Sequence, residues 1–288
     1  LKPDVVFSTL GYLNLIVIGS KFFWPRNTRL WVREANLPSS SISSSPHSAL
    51  MRWLYLRLYP RADGVICLTQ EVRRELVGQF GVSDRRLKVL VNPVDVVEIE
   101  EQRALANPRK KEERMVLAMG RLTQQKGFDL LMEAFAFVSR QRSDVRLAIL
   151  GKGEEAARLK DLADSLEISN SLLMPGFVKN PYSYFWQADL FVLSSRWEGL
   201  PNVVLEALAC RTPVVGFDCV GGGMREIAEG ASGLTLVPPQ DITALAQAIL
   251  ANLDSKKMGH SVLGIPSRYH ATNVTKEYEK VLTSTVNM

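Results

Sequence analysis

Apolar runs of strand length alternate with stretches of helical spacing along most of this 288-residue chain. In its C-terminal part the runs Val116 to Met119, Arg146 to Leu150, Leu172 to Met174, Leu190 to Leu193, Val214 to Phe217 and Leu234 to Val237 predict strands. Between the first two, Phe128 to Arg140 carries Leu130, Leu131, Ala134, Phe135 and Val138 at helical spacing. Upstream, Asp4 to Ser8, Leu30 to Glu34, Gly64 to Leu68 and Leu87 to Val91 predict the strands of a second α/β unit. Such alternation implies doubly wound parallel sheets, with a ligand site at the carboxyl ends of the strands. Asn92-Pro93-Val94-Asp95 and the charged run Asn107 to Arg114 join the units, the latter reading as a solvated linker. A last helix is predicted over Thr275 to Leu282.

The most informative stretch is Arg196-Trp197-Glu198-Gly199-Leu200-Pro201-Asn202, continuing into Val203 to Ala209 and Cys210. It follows the strand ending at Ser194. Pro201 suits the first helical position, where its missing N–H is unpaired anyway, and the apolar residues after it supply the helix body. Glu198 then falls in the strand-to-helix loop, and Glu206 lies inside the helix. On one continuous helix, eight residues at about 100° each would leave the two glutamates about 80° apart. Placed on a loop and a helix, both can converge on one ligand. Free N–H groups at the helix start suit phosphate, and carboxylates suit sugar hydroxyls.

With Gly-Leu-Pro-Asn inside it, this E-x7-E pattern resembles the retaining glycosyltransferases of the GT-B fold in the large family four group. Further motifs keep that family's order. Gly120-Arg121-Leu122-Thr123-Gln124-Gln125-Lys126-Gly127 looks like its phosphate-binding loop, and Pro175-Gly176-Phe177-Val178-Lys179-Asn180 like its base-binding turn. Gly221-Gly222-Gly223-Met224-Arg225-Glu226-Ile227 and Gly233-Leu234-Thr235-Leu236-Val237-Pro238 fall where the family has similar runs. The resemblance implies two Rossmann-like domains: an incomplete acceptor-side domain over 1–106, a donor-binding domain over 107–266, and a final helix in 267–288 that packs back on the first. The chain opens with Leu1-Lys2-Pro3, without an initiator Met, and reads as beginning in mid-domain. A complete enzyme of this kind would have about three more strands before Asp4, including a glycine-rich loop facing the donor.

The resemblance also implies roles. Arg121 and Lys126, beside Gly120, would clamp the diphosphate and neutralise the leaving group, two solvated loop cations being the plainer alternative. Glu206 looks like the acceptor of ribose hydroxyls. Glu198 looks like the residue beside the donor sugar, without being a nucleophile, since retention in the family is ascribed to same-face attack assisted by the leaving phosphate. Gly199, Leu200, Pro201 and Asn202 complete the donor loop. Gly222 and Gly223 would permit close approach of phosphate or sugar, or simply make a flexible turn. Phe177 and Val178 would line the base, or belong to the core. UDP is favoured because Gly176 to Tyr182 looks closest to members using UDP-linked hexosamines or hexoses on lipid-linked acceptors. Arg211 stands where glycine is usual after the helix, and a left-handed cap there would cost up to about 1 kcal/mol.

Departures from the pattern are informative. The family usually has a histidine near the sugar in its first domain. Here that strand end reads Val32-Arg33-Glu34-Ala35-Asn36, so Arg33, Glu34 and Asn36 become candidates for donor or acceptor contact, with a structural ion pair as the alternative. No Asp-x-Asp occurs, so no bridging metal is expected, and Arg121, Lys126 and a helix N-terminus would take its place. The serine-rich run Ser39 to Ser45 reads as a mobile loop near an acceptor entrance.

Composition narrows the partners. A charge of +5, from 35 basic and 30 acidic residues, favours anionic ligands. The basic residues are scattered among acids with no recognition element, which argues against nucleic acid. Cys67, Cys210 and Cys219 lack metal or CxxC spacing and read as buried thiols in a reducing compartment. The apolar run Leu13 to Ile18 is too short to span a bilayer, and the first residues lack a signal-peptide pattern. Lys21-Phe22-Phe23-Trp24-Pro25-Arg26 and Met51 to Tyr59 mix aromatics with cations, as in peripheral membrane docking or in a core helix with snorkelling arginines. The expectation is a retaining, metal-independent glycosyltransferase without cofactor at the cytoplasmic membrane face. It would use a nucleoside diphosphate sugar and a glycan or lipid-linked acceptor; the alternative is a non-catalytic nucleotide-sugar binding module.

Overall fold

The computed structural model describes residues 3–104, 113–254 and 264–284. Its first unit holds β1 (Val5–Ser8), α1 (Gly11–Ser20), β2 (Arg29–Glu34), α2 (Pro38–Ser43), α3 (Ser48–Leu58), β3 (Gly64–Cys67), α4 (Gln70–Phe80) and β4 (Leu87–Val89). The strands form a parallel sheet in the order β1-β2-β3-β4, with Val6 opposite Leu30 and Val32 opposite Val65. Leu30, Val32, Val65, Leu76 and Phe80 make its core together with Tyr55 and Tyr59. Ser39 to Ser45 is not a loop throughout. Pro38 opens α2 at a position that suits its fixed φ, Ile42 is buried beneath it, and Glu75 accepts the Ser39 N–H at 2.7 Å.

A helix that the apolar pattern did not announce, α5 (Val96–Ala104), leads towards the second unit. Most of the predicted linker lies outside the described residues, and Arg114, its last member, is the first residue of a strand. The second unit comprises β5 (Arg114–Met119), α6 (Phe128–Gln141), β6 (Val145–Leu150), α7 (Ala156–Ser165), β7 (Leu172–Gly176), α8 (Tyr182–Gln187), β8 (Leu190–Leu193), α9 (Asn202–Ala209), β9 (Val214–Phe217), α10 (Gly223–Ala228), β10 (Leu234–Val237) and α11 (Ile242–Asp254). All six strands are parallel, in the order β10-β9-β8-β5-β6-β7. β8 and β9 are buried along their whole length, as continuous apolar strands between two helix layers should be. On α6, Leu131, Ala134, Phe135 and Val138 form the buried stripe.

Two local details bear on the site. α9 starts at Asn202, one residue later than the proline rule predicts, because Pro201 is extended (ψ 99°) and caps the helix with its carbonyl, which accepts the Val204 N–H. Arg211 closes α9 with φ of +57°, the left-handed conformation that glycine usually supplies. The last helix, α12 (Ala271–Ser284), reaches the first unit, where the Tyr278 ring meets Phe7 edge-on at 6.0 Å. Among the described residues, no helix is long and apolar enough to cross a membrane.

Candidate active site

The strand order of the second unit reverses between β5 and β8, so the loops leaving those strands diverge and open a crevice at their carboxyl ends. The loops that line it are tied together by their backbones. Gly120 N–H donates to Leu150, Gly151 N–H to Gly176 and Leu122 N–H to Lys152, at 2.9–3.0 Å. They enclose a cavity of about 680 Å³ lined by Met119, Gly120, Arg121, Leu150, Gly151, Lys152, Phe177, Val178, Lys179, Pro181, Tyr182 and Glu206. That size lies within the range of small-molecule sites, roughly 300–1,000 Å³.

Five predicted residues meet on this cavity: Gly120, Arg121, Phe177, Val178 and Glu206. Glu206 reaches it from α9, and burial, followed by the charge of Glu98 on α5, holds its carboxyl above the usual range. Burial beside the same two glutamates pushes the Tyr182 hydroxyl up to about 12. Phe177 is largely exposed and Val178 packs only in part against the core, so the base-turn residues form a wall of the crevice. Lys152, Lys179 and Tyr182 were not singled out from the sequence. Lys152 follows β6 in Gly151-Lys152-Gly153, and a lysine between two glycines at a strand's carboxyl end was the available signal. With Arg121, they give the cavity three cations against one carboxylate.

Lys126 and Glu198 sit beside this cavity. An added Cβ on Gly120 would lie 3.1 Å from Lys126 Cε, so the lysine stem runs along the phosphate-type loop. Lys126 Nζ meets Glu198 Oε1 at 2.5 Å, and Ser195 Oγ donates to the same oxygen at 2.7 Å. Both charged side chains are mostly buried. Arg196 pins this loop to α6 through a bidentate pair with Asp129, both bonds 2.9 Å.

The remaining predicted residues stand behind the crevice, where the two units meet. Leu200 and Pro201 are buried, and Asn202 Oδ1 accepts from Asn92 Nδ2 at 2.7 Å. Gly199 N–H donates to Asn36 Oδ1 of the first unit at 3.2 Å, and a Cβ on Gly199 would fall 1.7 Å from the Ala35 carbonyl oxygen. Only glycine permits that approach. Gly221, at φ of +118°, backs onto the Glu198 carbonyl in the same way. Gly222 faces Glu71 and Gly223 backs onto the Gly199 carbonyl, so this turn is packed, with Thr69 Oγ1 donating to the Gly221 carbonyl at 2.8 Å. Gln70 N–H donates to Glu226 Oε1 at 2.6 Å across the same seam. Sequence spacing gave no sign of these contacts, and those between the two units join residues more than a hundred positions apart.

Known proteins resemble this chain in sequence and in fold. Residues 99–262 match the family described as glycosyl transferases group 1, and residues 28–98 match glycosyltransferase family 4. An uncharacterised glycosyltransferase of Methanocaldococcus jannaschii is 34% identical over 241 residues, covering 78% of this chain and 58% of that protein. A second relative, from Campylobacter jejuni, is N-acetylgalactosamine-N,N'-diacetylbacillosaminyl-diphospho-undecaprenol 4-alpha-N-acetylgalactosaminyltransferase. It is 30% identical over 256 residues, covering 88% of this chain and 68% of that protein. The chain thus spans about three-fifths to two-thirds of the length of these relatives. Among solved structures, Anabaena HepE in complex with UDP superposes with a TM-score of 0.80 at 19% identity, over 98% of this chain and 79% of HepE. A variant of S. aureus TarM in complex with fondaparinux, alpha-GlcNAc-glycerol and UDP gives 0.76 at 20% identity, over 94% and 54%. The fold is therefore GT-B, and the chain belongs to the glycosyl transferases group 1 family.

Proposed function

We propose that this protein transfers a sugar, with retention, from a nucleoside diphosphate to a glycan or lipid-linked acceptor, and that UDP is the carrier. The observation that carries the reading is the meeting of Arg121, Phe177, Val178 and Glu206 on one cavity beside the Lys126–Glu198 pair. In this reading Phe177 and Val178 flank the base, Glu206 accepts from the ribose hydroxyls, and Arg121 with Lys126 neutralises the diphosphate as the glycosidic bond breaks. Two fixed cations at that point supply the charge that a divalent metal supplies elsewhere. Glu198, already bound to Lys126 and Ser195, orients the sugar and forms no bond to it. HepE has been solved with UDP and with UDP-glucose, which supports UDP. The C. jejuni relative's acceptor, by its name, carries diphospho-undecaprenol, which supports a lipid-linked acceptor.

A peripheral site of action at the cytoplasmic face of a membrane accords with such an acceptor. Phe22 and Phe23 are 89% and 84% exposed, and Ile16 and Trp53 are exposed on neighbouring helices beside Arg52 and Arg57. The α3 segment divides, since its Tyr55 and the following Tyr59 turn inward. The direct test is incubation with UDP-, GDP- and ADP-sugars and an undecaprenyl-diphosphate-linked saccharide. Release of UDP with an α-linked product from an α-linked donor is expected, and an inverted product would refute retention.

A further inference from the structure

Glu34 ends β2 with its side chain buried among hydroxyls and an amide, away from the donor cavity. Its Oε2 accepts from Tyr59 and, at 3.2 Å, from Tyr55. The two tyrosine rings stack 4.4 Å apart at 9°, which fixes both hydroxyls. Behind them Asn14 donates to Tyr59 Oη at 3.2 Å and to the Arg33 carbonyl at 2.9 Å, while Ser8 Oγ donates to Asn14 Oδ1 at 2.7 Å. Ser8 and Asn14 thus buttress the Tyr59 hydroxyl that donates to the buried carboxylate. Tyr55, Tyr59, Cys67 of β3 and Glu75 of α4 act on that carboxylate without bringing positive charge, and the first turn of α1 also stands against it, an added Cβ on Gly11 falling 3.9 Å from Glu34 Oε1.

Two residues beyond Glu34 the chain crosses to the other unit. Asn36 stands two residues beyond Glu34 in the chain, and its Oδ1 takes the N–H of Gly199, the residue after Glu198. Glu198 in turn holds Lys126 and Ser195. A path therefore runs from the Tyr55 and Tyr59 hydroxyls to Glu34, along two residues of chain to Asn36, and from the Asn36 side chain through the Gly199 peptide to the Lys126–Glu198 pair. The Gly199–Ala35 approach leaves no slack in it, because even a methyl group would collide there.

From this path we infer that Glu34 is a positioning residue for sugar transfer, fixing the Glu198–Gly199 peptide through Asn36 without touching the donor. The inference rests on the glycosyltransferase reading only for its kinetic consequence. Oε2 accepts from both tyrosines, and the neutral amide oxygen of glutamine is the weaker acceptor, so Glu34→Gln weakens the path while keeping the side chain's shape. Asn36→Ala cuts the path at its crossing point.

Hydrogen–deuterium exchange on the unliganded protein tests the coupling without any assumption about substrate. The peptide spanning Trp197 to Leu200 should exchange at least tenfold faster in Glu34→Gln and in Asn36→Ala, with β6 unchanged, and the double variant should be no faster than Asn36→Ala alone. In turnover assays kcat should fall at least tenfold, with the donor KM within twofold of the parent. Unaltered exchange in Glu34→Gln, or a double variant faster by the full product of the two effects, would overturn the inference. Should Glu34→Gln fail to fold, Tyr59→Phe removes one donor, keeps the ring, and should raise the same exchange. Nucleotide binding, measured on the same samples, tests the functional reading separately: exchange that responds in a protein binding no nucleotide would uphold the coupling and refute the function.

Discussion

Lys126 Nζ and Glu198 Oε1 lie 2.5 Å apart in a mostly buried pair, although 72 residues separate them in the chain. The cation is shared between the carboxylate and the place assigned to the diphosphate, so its removal has two effects. Lys126→Met leaves Glu198 buried without its partner, which should cost about 3 kcal/mol of stability in urea unfolding. It should also lower turnover more than a hundredfold. Equal stability of parent and variant would show that the pair is solvated and the buried geometry wrong.

Gly199→Ala places a methyl carbon 1.7 Å from the Ala35 carbonyl oxygen. Backbone cannot yield as a side-chain tip can, so the two units must separate locally. The expected loss is about 1–3 kcal/mol, together with loss of the Asn36 contact and a fall in kcat. Unfolding curves and kinetics check both, and a silent substitution would contradict the packed seam.

Burial pushes the Glu34 carboxyl up to about 7, against the lowering effect of its tyrosine and backbone donors. The sign follows from proton counting. Between about pH 4.5 and 7 the unfolded chain has released this proton and the folded chain retains it, so stability falls as pH rises through that window. The whole effect is up to about 3 kcal/mol and is complete above pH 7. Glu34→Gln has no such proton. Thermal unfolding from pH 5 to 8 should therefore show parent stability declining relative to the variant, whereas parallel curves would place Glu34 in water.

Phe22 and Phe23, in edge contact at 5.5 Å, expose nearly their whole rings next to Lys21, which is held by Asp63. If this face meets lipid, Phe22→Ser with Phe23→Ser should cut sedimentation with anionic vesicles at least fivefold while leaving nucleotide binding intact. Unchanged sedimentation would move the docking surface elsewhere.

Much of the candidate site's layout was legible because its residues are local in the chain. Gly120 to Lys126 form one loop after one strand, and Glu198 with Glu206 bracket one loop-to-helix junction. The face between the units was not legible. Asn36 finds Gly199 and Asn92 finds Asn202 only after both sheets have formed, and neither pair has a spacing rule. Arg33 and Glu34 read as donor or acceptor contacts or an ion pair, yet Glu34 turned to hydroxyls on α3 and just beyond it, while Arg33 lies against Tyr278 of α12. Ser39 to Ser45 misled because serine composition suggests a loop, whereas Pro38 and a buried Ile42 decide for a helix. Glu198 and Glu206 were read as converging on one ligand, and they diverge in degree: Glu206 lines the cavity, and Glu198 stands beside it, engaged by Lys126.

Calorimetric titration with UDP, GDP and ADP, on the parent and on Glu206→Ala, tests the donor site most directly. Because the Glu206 carboxyl is raised by burial, binding that uses its ionised form should weaken as pH is lowered. The account predicts that UDP binds, that GDP and ADP bind at least tenfold more weakly, and that Glu206→Ala abolishes the UDP signal. Undiminished UDP binding in Glu206→Ala, or preference for another base, would contradict it.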